Sequence, residues 1–342
     1  MFFTTPSYKV ICVGSTSKDV FFPTDEGIII ETPEDILSKE KIAFELGGKI
    51  RVENRFEAVG GVAANVAHGL TRLGHRVGCY SKIGKDETGD WILDEFRSES
   101  VPTDLLSIDA TAKTDLSAII VMMQNGERTI FHNRDANEKL EIKTEKLKNT
   151  EWIFVSALNG DWENNLSILT DFKEKKGLSL ALNPGQHNIK SNVSAVLKAV
   201  AVSDVLMLNK DEAIELVIQI KKDIPREKLD DEFFLLEALH LFGAKIISMT
   251  DGKRGAWSFD GTAYWFCPIH TKSSVVDSTG CGDAFASGFF GAILEGHSIE
   301  KALCYGTANS GSVIGEYGAI SGLLHKDIME QSLGDILPER LN

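Results

Sequence analysis

The chain of 342 residues contains no apolar stretch approaching the ~20 residues a membrane-spanning helix needs, and it begins Met-Phe-Phe-Thr-Thr-Pro without a basic region ahead of an apolar one. Neither a membrane span nor an export signal is expected. Positive charge is also scarce: 36 Lys and Arg stand against 50 Asp and Glu, a formal net charge of −14, and no Lys/Arg run exceeds two residues. A chain this acidic repels phosphate backbones and anionic lipid surfaces, so nucleic acid and membrane are not expected as partners. Cysteine is sparse and scattered. Cys12, Cys79, Cys267, Cys281 and Cys304 show no zinc-knuckle or redox spacing. They read as reduced thiols used as small hydrophobes, which favours the cytoplasm. There is no internal repeat and no low-complexity tract.

What is present is an ordinary globular composition, 43% apolar and 25% charged, long enough for one large α/β domain or two smaller ones. Strand and helix patterns alternate. Tyr8–Val13 predicts a buried strand ending at Gly14, and Ala63–Leu73 a helix stopped by Gly74. A strand over His75–Ile83 and an amphipathic helix over Glu87–Ser98 follow. Trp152–Ser156, Leu178–Leu182, Val205–Leu208 and Ala244–Thr250 are apolar runs of strand length. Asp211–Ile220, Asp231–Phe242, Gly282–Leu294 and Ser298–Ile314 read as helices. The alternation predicts a three-layer α/β/α fold with a mostly parallel central sheet. Such sheets bind ligands beyond the C-terminal ends of their strands.

Two regions break the pattern. Phe21–Ala58 holds short alternating runs, including Phe44–Leu46 and Ile50–Val52. Within Asp115–Asn133, Leu116–Met123 and Arg128–His132 flank an Asn125-Gly126 turn, a strong hairpin signal. Segments of about 21–58 and 113–135 are expected to pair into a small β lid over the site of a single domain spanning 1–342; ordinary surface excursions are the alternative. A second hairpin is expected at Ala256–Phe266, turning at Asp260-Gly261.

The sharpest chemical signal is Val275 to Phe285, where a strand runs into Ser278-Thr279-Gly280-Cys281-Gly282-Asp283 and then an apolar helix. Glycines at 280 and 282 allow close backbone approach. The unpaired N–H groups of a helix start form an anion site. A carboxylate placed in such a site has a purpose if it takes a proton from a hydroxyl while the amides of Gly280, Cys281 and Gly282 receive phosphoryl oxygens. The plainer alternative is a helix cap with glycine as spacer. The second signal is Gly60-Gly61-Val62-Ala63-Ala64-Asn65, which suits backbone pressed against a polar ligand with Asn65 turned to its hydroxyls; taken alone, a tight loop capped locally by Asn65 is the preferred reading.

Together the two stretches resemble the ribokinase-like, or PfkB, carbohydrate kinase family. One signature is similar to Gly60 through Ala67, continuing through Leu73-Gly74 and Ile83 to Gly89; the other to Asp277 through Gly288. The resemblance runs from about Lys9 to Leu324. It implies ATP-dependent phosphorylation of a hydroxyl on a sugar or sugar-like molecule, with Asp283 as base and Mg²⁺ as cofactor. It also implies that Asp19 binds substrate hydroxyls with Gly60, Gly61 and Asn65; a solvated turn acid is the alternative at Asp19. Ser17 stands where many sugar kinases of this type have Asn, which weighs against ribose itself. Asn209 and Glu212 match the family's Asn-x-x-Glu element near phosphate and magnesium, Glu212 acting through water; a plain helix cap at Asn209 is compatible with this. Thr250, Gly252 and Gly255 match its nucleotide loop, where Lys253 or Arg254 is a candidate phosphate contact and an exposed basic turn the equal alternative. Asp277 and Thr279 match ligands of a monovalent cation, usually K⁺. Cys281 replaces the usual Ala. A helix-start thiol can be activated, but a small backbone filler is the preferred reading.

The substrate ranks as a neutral sugar first and an adenosine-like nucleoside second. Arg128 and Arg134 in the lid suit a phosphorylated substrate, whereas Glu26, Glu31, Glu34 and Asp35 weigh toward a neutral one. A homodimer through the lid is a further implication, with Ile119, Val121 and Ile130 as interface or lid-packing residues. His68, His75, His132, His187 and His270 lack metal spacing and are read as structural, as are Trp91, Trp152 and Trp257. A non-catalytic ligand sensor on the same fold is the rival reading. A Rossmann dehydrogenase is disfavoured because the first strand ends in one glycine only.

Overall fold

The computed structural model describes residues 7–32, 40–221, 223–270 and 275–341. Glu34 and Asp35 lie outside the described residues. The strands in chain order are β1 (Tyr8–Val13), β2 (Ser17–Thr24), β3 (Ile28–Glu31), β4 (Glu40–Ala43), β5 (Phe56–Gly60), β6 (Val77–Gly84), β7 (Leu106–Asp109) and β8 (Leu116–Met122). They continue with β9 (Arg128–Asn133), β10 (Thr150–Val155), β11 (Ser179–Leu182), β12 (Val205–Asn209), β13 (Ile246–Thr250), β14 (Ala256–Phe259), β15 (Tyr264–Cys267) and β16 (Glu339–Leu341).

Ten of them form one sheet, in the order β16-β15-β14-β13-β12-β11-β10-β1-β6-β7. The run from β13 to β7 is parallel, and β14, β15 and β16 are added antiparallel at one edge. Both faces are covered. Val10, Cys12, Phe154 and Met207 point to a layer containing helices Val62–Arg72, Cys281–Leu294 and Ile299–Val313. Their neighbours Ile11, Val13, Val155 and Leu208 point to the opposite layer, which holds Trp162–Lys176, Lys210–Ile220 and Glu232–Phe242. Apolar side chains at every position, alternating between two layers, explain why these strands read as continuous hydrophobic runs. The expected three-layer α/β/α fold with a mostly parallel sheet is the fold observed.

A second sheet stands apart, ordered β5-β2-β8-β9, with β3 and β4 forming a separate pair. Phe44–Leu46 and Ile50–Val52 are not strands; this segment's strands are β3, β4 and β5. Gly47 follows Leu46 at a positive φ of 80°, which breaks an extended run. The hairpin of β8 and β9 forms as expected, with Val121 opposite Arg128 and Gly126 at φ 71° in the turn. Ile119 and Val121 are fully buried with Phe21 and Ala58 beneath Tyr317, so they serve the packing of this sheet and not a surface contact.

Cys12, Cys79, Cys267 and Cys304 are buried free thiols. Among the described residues no helix is long and apolar enough to cross a membrane.

Candidate active site

Between β15 and the helix Cys281–Leu294 the chain makes a turn held by one buried acid. Asp277 is fully buried, and its Oδ1 accepts the Thr279 N–H at 2.9 Å and the Thr279 hydroxyl at 2.7 Å. Its Oδ2 accepts the Gly318 N–H at 3.2 Å. Gly280 then caps the helix at φ 76°, where a Cβ would lie 2.2 Å from Cβ of Ala319. Glycine is required there on both counts. A Cβ on Gly282, in contrast, would meet nothing within 4 Å. Its neighbourhood is open space at the mouth of a helix whose first N–H groups have no intrahelical acceptor, and the Cys281 amide reaches only the Ser278 carbonyl at 3.4 Å.

Asp283 occupies the first turn of this helix and accepts a hydrogen bond from Asn65 Nδ2 at 2.7 Å. Burial pushes its carboxyl up to about 6, opposed by the Asn65 bond; nearby Asp19 adds to the rise and Arg128 offsets it. Asn65 Oδ1 is buried without a hydrogen-bond partner among the described residues. Its amide therefore donates to Asp283 and leaves an acceptor free, a refinement of the expectation that it meets hydroxyls with both ends.

Asp19 sits on β2, not on a turn. Its carboxylate accepts from Ser17 Oγ at 3.0 Å and from Ser117, which lies opposite it on β8. Burial raises its pKa, with the two serines and Arg134 acting against that rise. The carboxylate lies flat on Gly60: a Cβ there would come within 2.1 Å of Asp19 Oδ2. Gly61, at φ 91°, brings the backbone against Ser15 and Thr16, where a Cβ would stand 2.5 Å from the Ser15 carbonyl oxygen.

These elements surround a cavity of about 640 Å³ beyond the C-terminal ends of β1, β10 and β11. Asp19, Gly61, Asn65, Thr279, Gly280, Gly282 and Asp283 line it; Gly60, Asp277 and Cys281 support it from outside the lining. Burial pushes the Cys281 thiol up to about 11, the direction opposite to activation.

The remaining candidates stand away from this cavity on adjacent strand ends. Asn209, the last residue of β12, pairs with Thr250, the last of β13. Asn209 and Glu212 form a reciprocal capping box, the Glu212 N–H to Asn209 Oδ1 at 2.9 Å and the Asn209 N–H to Glu212 Oε2 at 3.0 Å. Burial pushes the Glu212 carboxyl up to about 7. Gly252 and Gly255 turn the following loop at φ 47° and 112°. Arg254 in that loop is engaged by Glu232 at 2.7 Å and Asp251 at 2.8 Å. Among the described residues no three His, Cys, Asp or Glu side chains gather as a metal site.

One row of side chains was not anticipated as a unit. Arg128, Ile130 and His132 alternate along β9, Arg134 follows, and all four line the cavity. His132 and His187, read as structural, both belong to the lining, as do Asn159 and Asn188.

The family model described as pfkB family carbohydrate kinase matches residues 9–326. The chain belongs to this family. It is accordingly an ATP-dependent carbohydrate kinase in class. It is 30% identical over 279 residues to a 5-dehydro-2-deoxygluconokinase of Clostridium beijerinckii, covering 76% of this chain and 79% of that one. Among solved structures it resembles Arabidopsis thaliana ribokinase complexed with ribose and ATP, at a TM-score of 0.76 and 19% identity over 96% of this chain and 99% of the other. A Burkholderia thailandensis nucleoside kinase in complex with inosine gives 0.74 and 16% over 95% and 97%. At these identities the structural likeness is one of fold.

Proposed function

We propose that this kinase transfers the γ-phosphoryl group of ATP to a hydroxyl of a sugar or sugar-like acceptor held between Asp19 and Asp283. The observation that carries the reading is the Asp283 carboxylate, gripped by Asn65 at 2.7 Å, sharing one cavity with Asp19 and with the open space over Gly282. Asp283 takes the hydroxyl proton. The hydroxyl oxygen bonds to the γ-phosphorus as the bond to the bridging oxygen breaks, its electron pair leaving with ADP. Amides of Gly280, Cys281 and Gly282 face the oxygens of the group in transfer. Asp19 and the free Oδ1 of Asn65 take acceptor hydroxyls, with Gly60 and Gly61 letting the backbone come close. Asn209, Thr250, Gly252 and Gly255 lie on the nucleotide side, and Glu212 would reach Mg²⁺ through water. When bound, Mg²⁺ neutralises phosphate charge. The sheet β5-β2-β8-β9 acts as a lid that keeps water from the phosphoryl group. Asp277 and Thr279 are the residues a K⁺ requirement would involve.

The test is ADP release from Mg-ATP with a panel of sugars and nucleosides, with and without K⁺, for the natural chain and Asp283→Asn. Loss of orders of magnitude in kcat with ATP binding retained supports the reading. Near-normal turnover of the variant contradicts it.

A further inference from the structure

Positive charge is scarce in this chain, 36 basic residues against 50 acids, yet the face that β9 turns to the cavity reads Arg128, Ile130, His132 and then Arg134. Each arginine has a buried guanidinium nitrogen without a hydrogen-bond partner among the described residues, Nε of Arg128 and Nη1 of Arg134. A buried donor on a charged group that meets neither protein nor ligand is costly. The two stand at different ends of the site. Arg128 donates to the Ser278 hydroxyl, at the turn before the glycine-rich helix mouth, and its charge acts on Asp283. That position suits the phosphoryl group in transfer. Arg134 lies six residues further on, a separation of roughly 20 Å along an extended strand, and its charge acts on Asp19 at the acceptor end.

Neither acid near Arg134 uses it fully. Its ion contact with Asp115 is 3.9 Å long. The Asp115 carboxylate is already filled by the N–H groups of Asp135 at 2.9 Å and Ala136 at 3.0 Å and by Asn137 Nδ2 at 2.8 Å. Asp19 is served by Ser17 and Ser117. Glu31, read from the sequence as favouring a neutral ligand, is not part of the lining, and neither is Glu26; the lining's acids are Asp19, Glu138 and Asp283.

We infer that the acceptor carries its own anionic group, a carboxylate or a phosphate, and that Arg134 binds it in the same cavity where Asp283 meets the hydroxyl. This rests on the kinase reading of that cavity and adds the substrate class. Arginine suits the task because its planar fork matches either anion with two parallel hydrogen bonds.

The experiment gives the full chain Mg-ATP and three matched acceptor sets: neutral sugars, the corresponding sugar acids, and the corresponding sugar phosphates. An anionic set is expected to exceed its neutral counterpart in kcat/KM by about 100-fold, the scale of one buried charge-assisted contact. Which anionic set wins separates carboxylate from phosphate. Arg134→Gln is expected to bring that preference ratio close to one, and Arg134→Lys to restore part of it. Protection of the natural chain's Tm by the preferred anion without ATP is a second readout that needs no turnover. Preference for a neutral sugar or a nucleoside overturns the inference, as does an equal loss on every acceptor in Arg134→Gln. If a neutral sugar is turned over and Asp283→Asn abolishes that turnover, only the anion claim falls. If no acceptor yields ADP above the Asp283→Asn background, the kinase reading fails and the anion claim with it.

Discussion

Asn65 Nδ2 lies 2.7 Å from Asp283 Oδ2 and joins two helices whose partners are 218 residues apart in the chain. The helices approach closely enough to hold this bond firmly: a Cβ on Gly69 would stand 2.3 Å from Ser287 Oγ, and one on Gly291 would stand 2.6 Å from Leu73 Cδ1. A neutral amide donating to a carboxylate favours the charged form and opposes the desolvation that raises it. Asn65→Leu removes the donor. Activity that requires ionised Asp283 is expected to rise with pH through about 6 in the natural chain. In the variant that limb moves upward by about one unit, and the loss of rate is larger at pH 6 than at pH 8. A pH profile of kcat/KM decides it, and an unmoved limb rejects the coupling.

Asp283 illustrates a site that costs the fold stability. Its pKa in the folded chain, about 6, exceeds the ordinary 3.8, so the folded state resists its ionisation. The penalty is absent below the unfolded value and fully present once pH passes the folded one. Asp283→Asn is therefore expected to raise stability by about 1–2 kcal/mol above pH 6, allowing for water in the cavity, with the gain vanishing below pH 4. Denaturant melts at pH 4 and pH 8 measure it. A variant less stable than the natural chain at pH 8 refutes the burial account.

The sheet and the Asp283 turn were legible because each rests on local chemistry. Buried parallel strands are apolar at every position, and a glycine turn opening an apolar helix announces an anion site by itself; the strand expected to enter it at Val275-Val276 is not formed, because Asp277 holds the segment as a turn. The strand that carries Asp19 was not read from the sequence, because Ser17–Thr24 opens with polar residues and contains Pro23, weak strand material by itself. It becomes a strand by pairing with β5 on one side and β8 on the other, a long-range event. The basic row of β9 shows the same limit. The alternation of Arg128, Ile130 and His132 is visible in the letters, but which face meets the cavity follows from the pairing of β2 with β8. The cap at Asn209 was legible as a cap, and the reciprocal bond from Glu212 follows from their spacing of three.

Gly60 gives a test of how Asp19 is held. A methyl group there would stand 2.1 Å from Asp19 Oδ2, and what it displaces is the end of one side chain. Gly60→Ala is expected to leave the fold nearly intact while moving the carboxylate, raising KM for the acceptor by about 10–100-fold. KM for ATP should change far less. Equal shifts in both constants would count against Asp19 as an acceptor-binding group.

Gly280 and Gly282 stand two residues apart, and the same substitution should act on them in opposite ways. At Gly280 the φ of 76° and the contact with Ala319 both oppose a side chain. Gly280→Ala is expected to lose about 2–4 kcal/mol of stability through backbone strain and overpacking. At Gly282 nothing stands within 4 Å of the added methyl, and alanine favours the helix. Gly282→Ala should fold as well as the natural chain or up to ~1 kcal/mol better. Yet its methyl projects into the space over the helix mouth where the phosphoryl oxygens are proposed to sit, so kcat should fall by about 100-fold. Thermal melts paired with turnover separate the two effects. If Gly282→Ala is both stable and fully active, the open space at the helix mouth is not where phosphoryl transfer takes place.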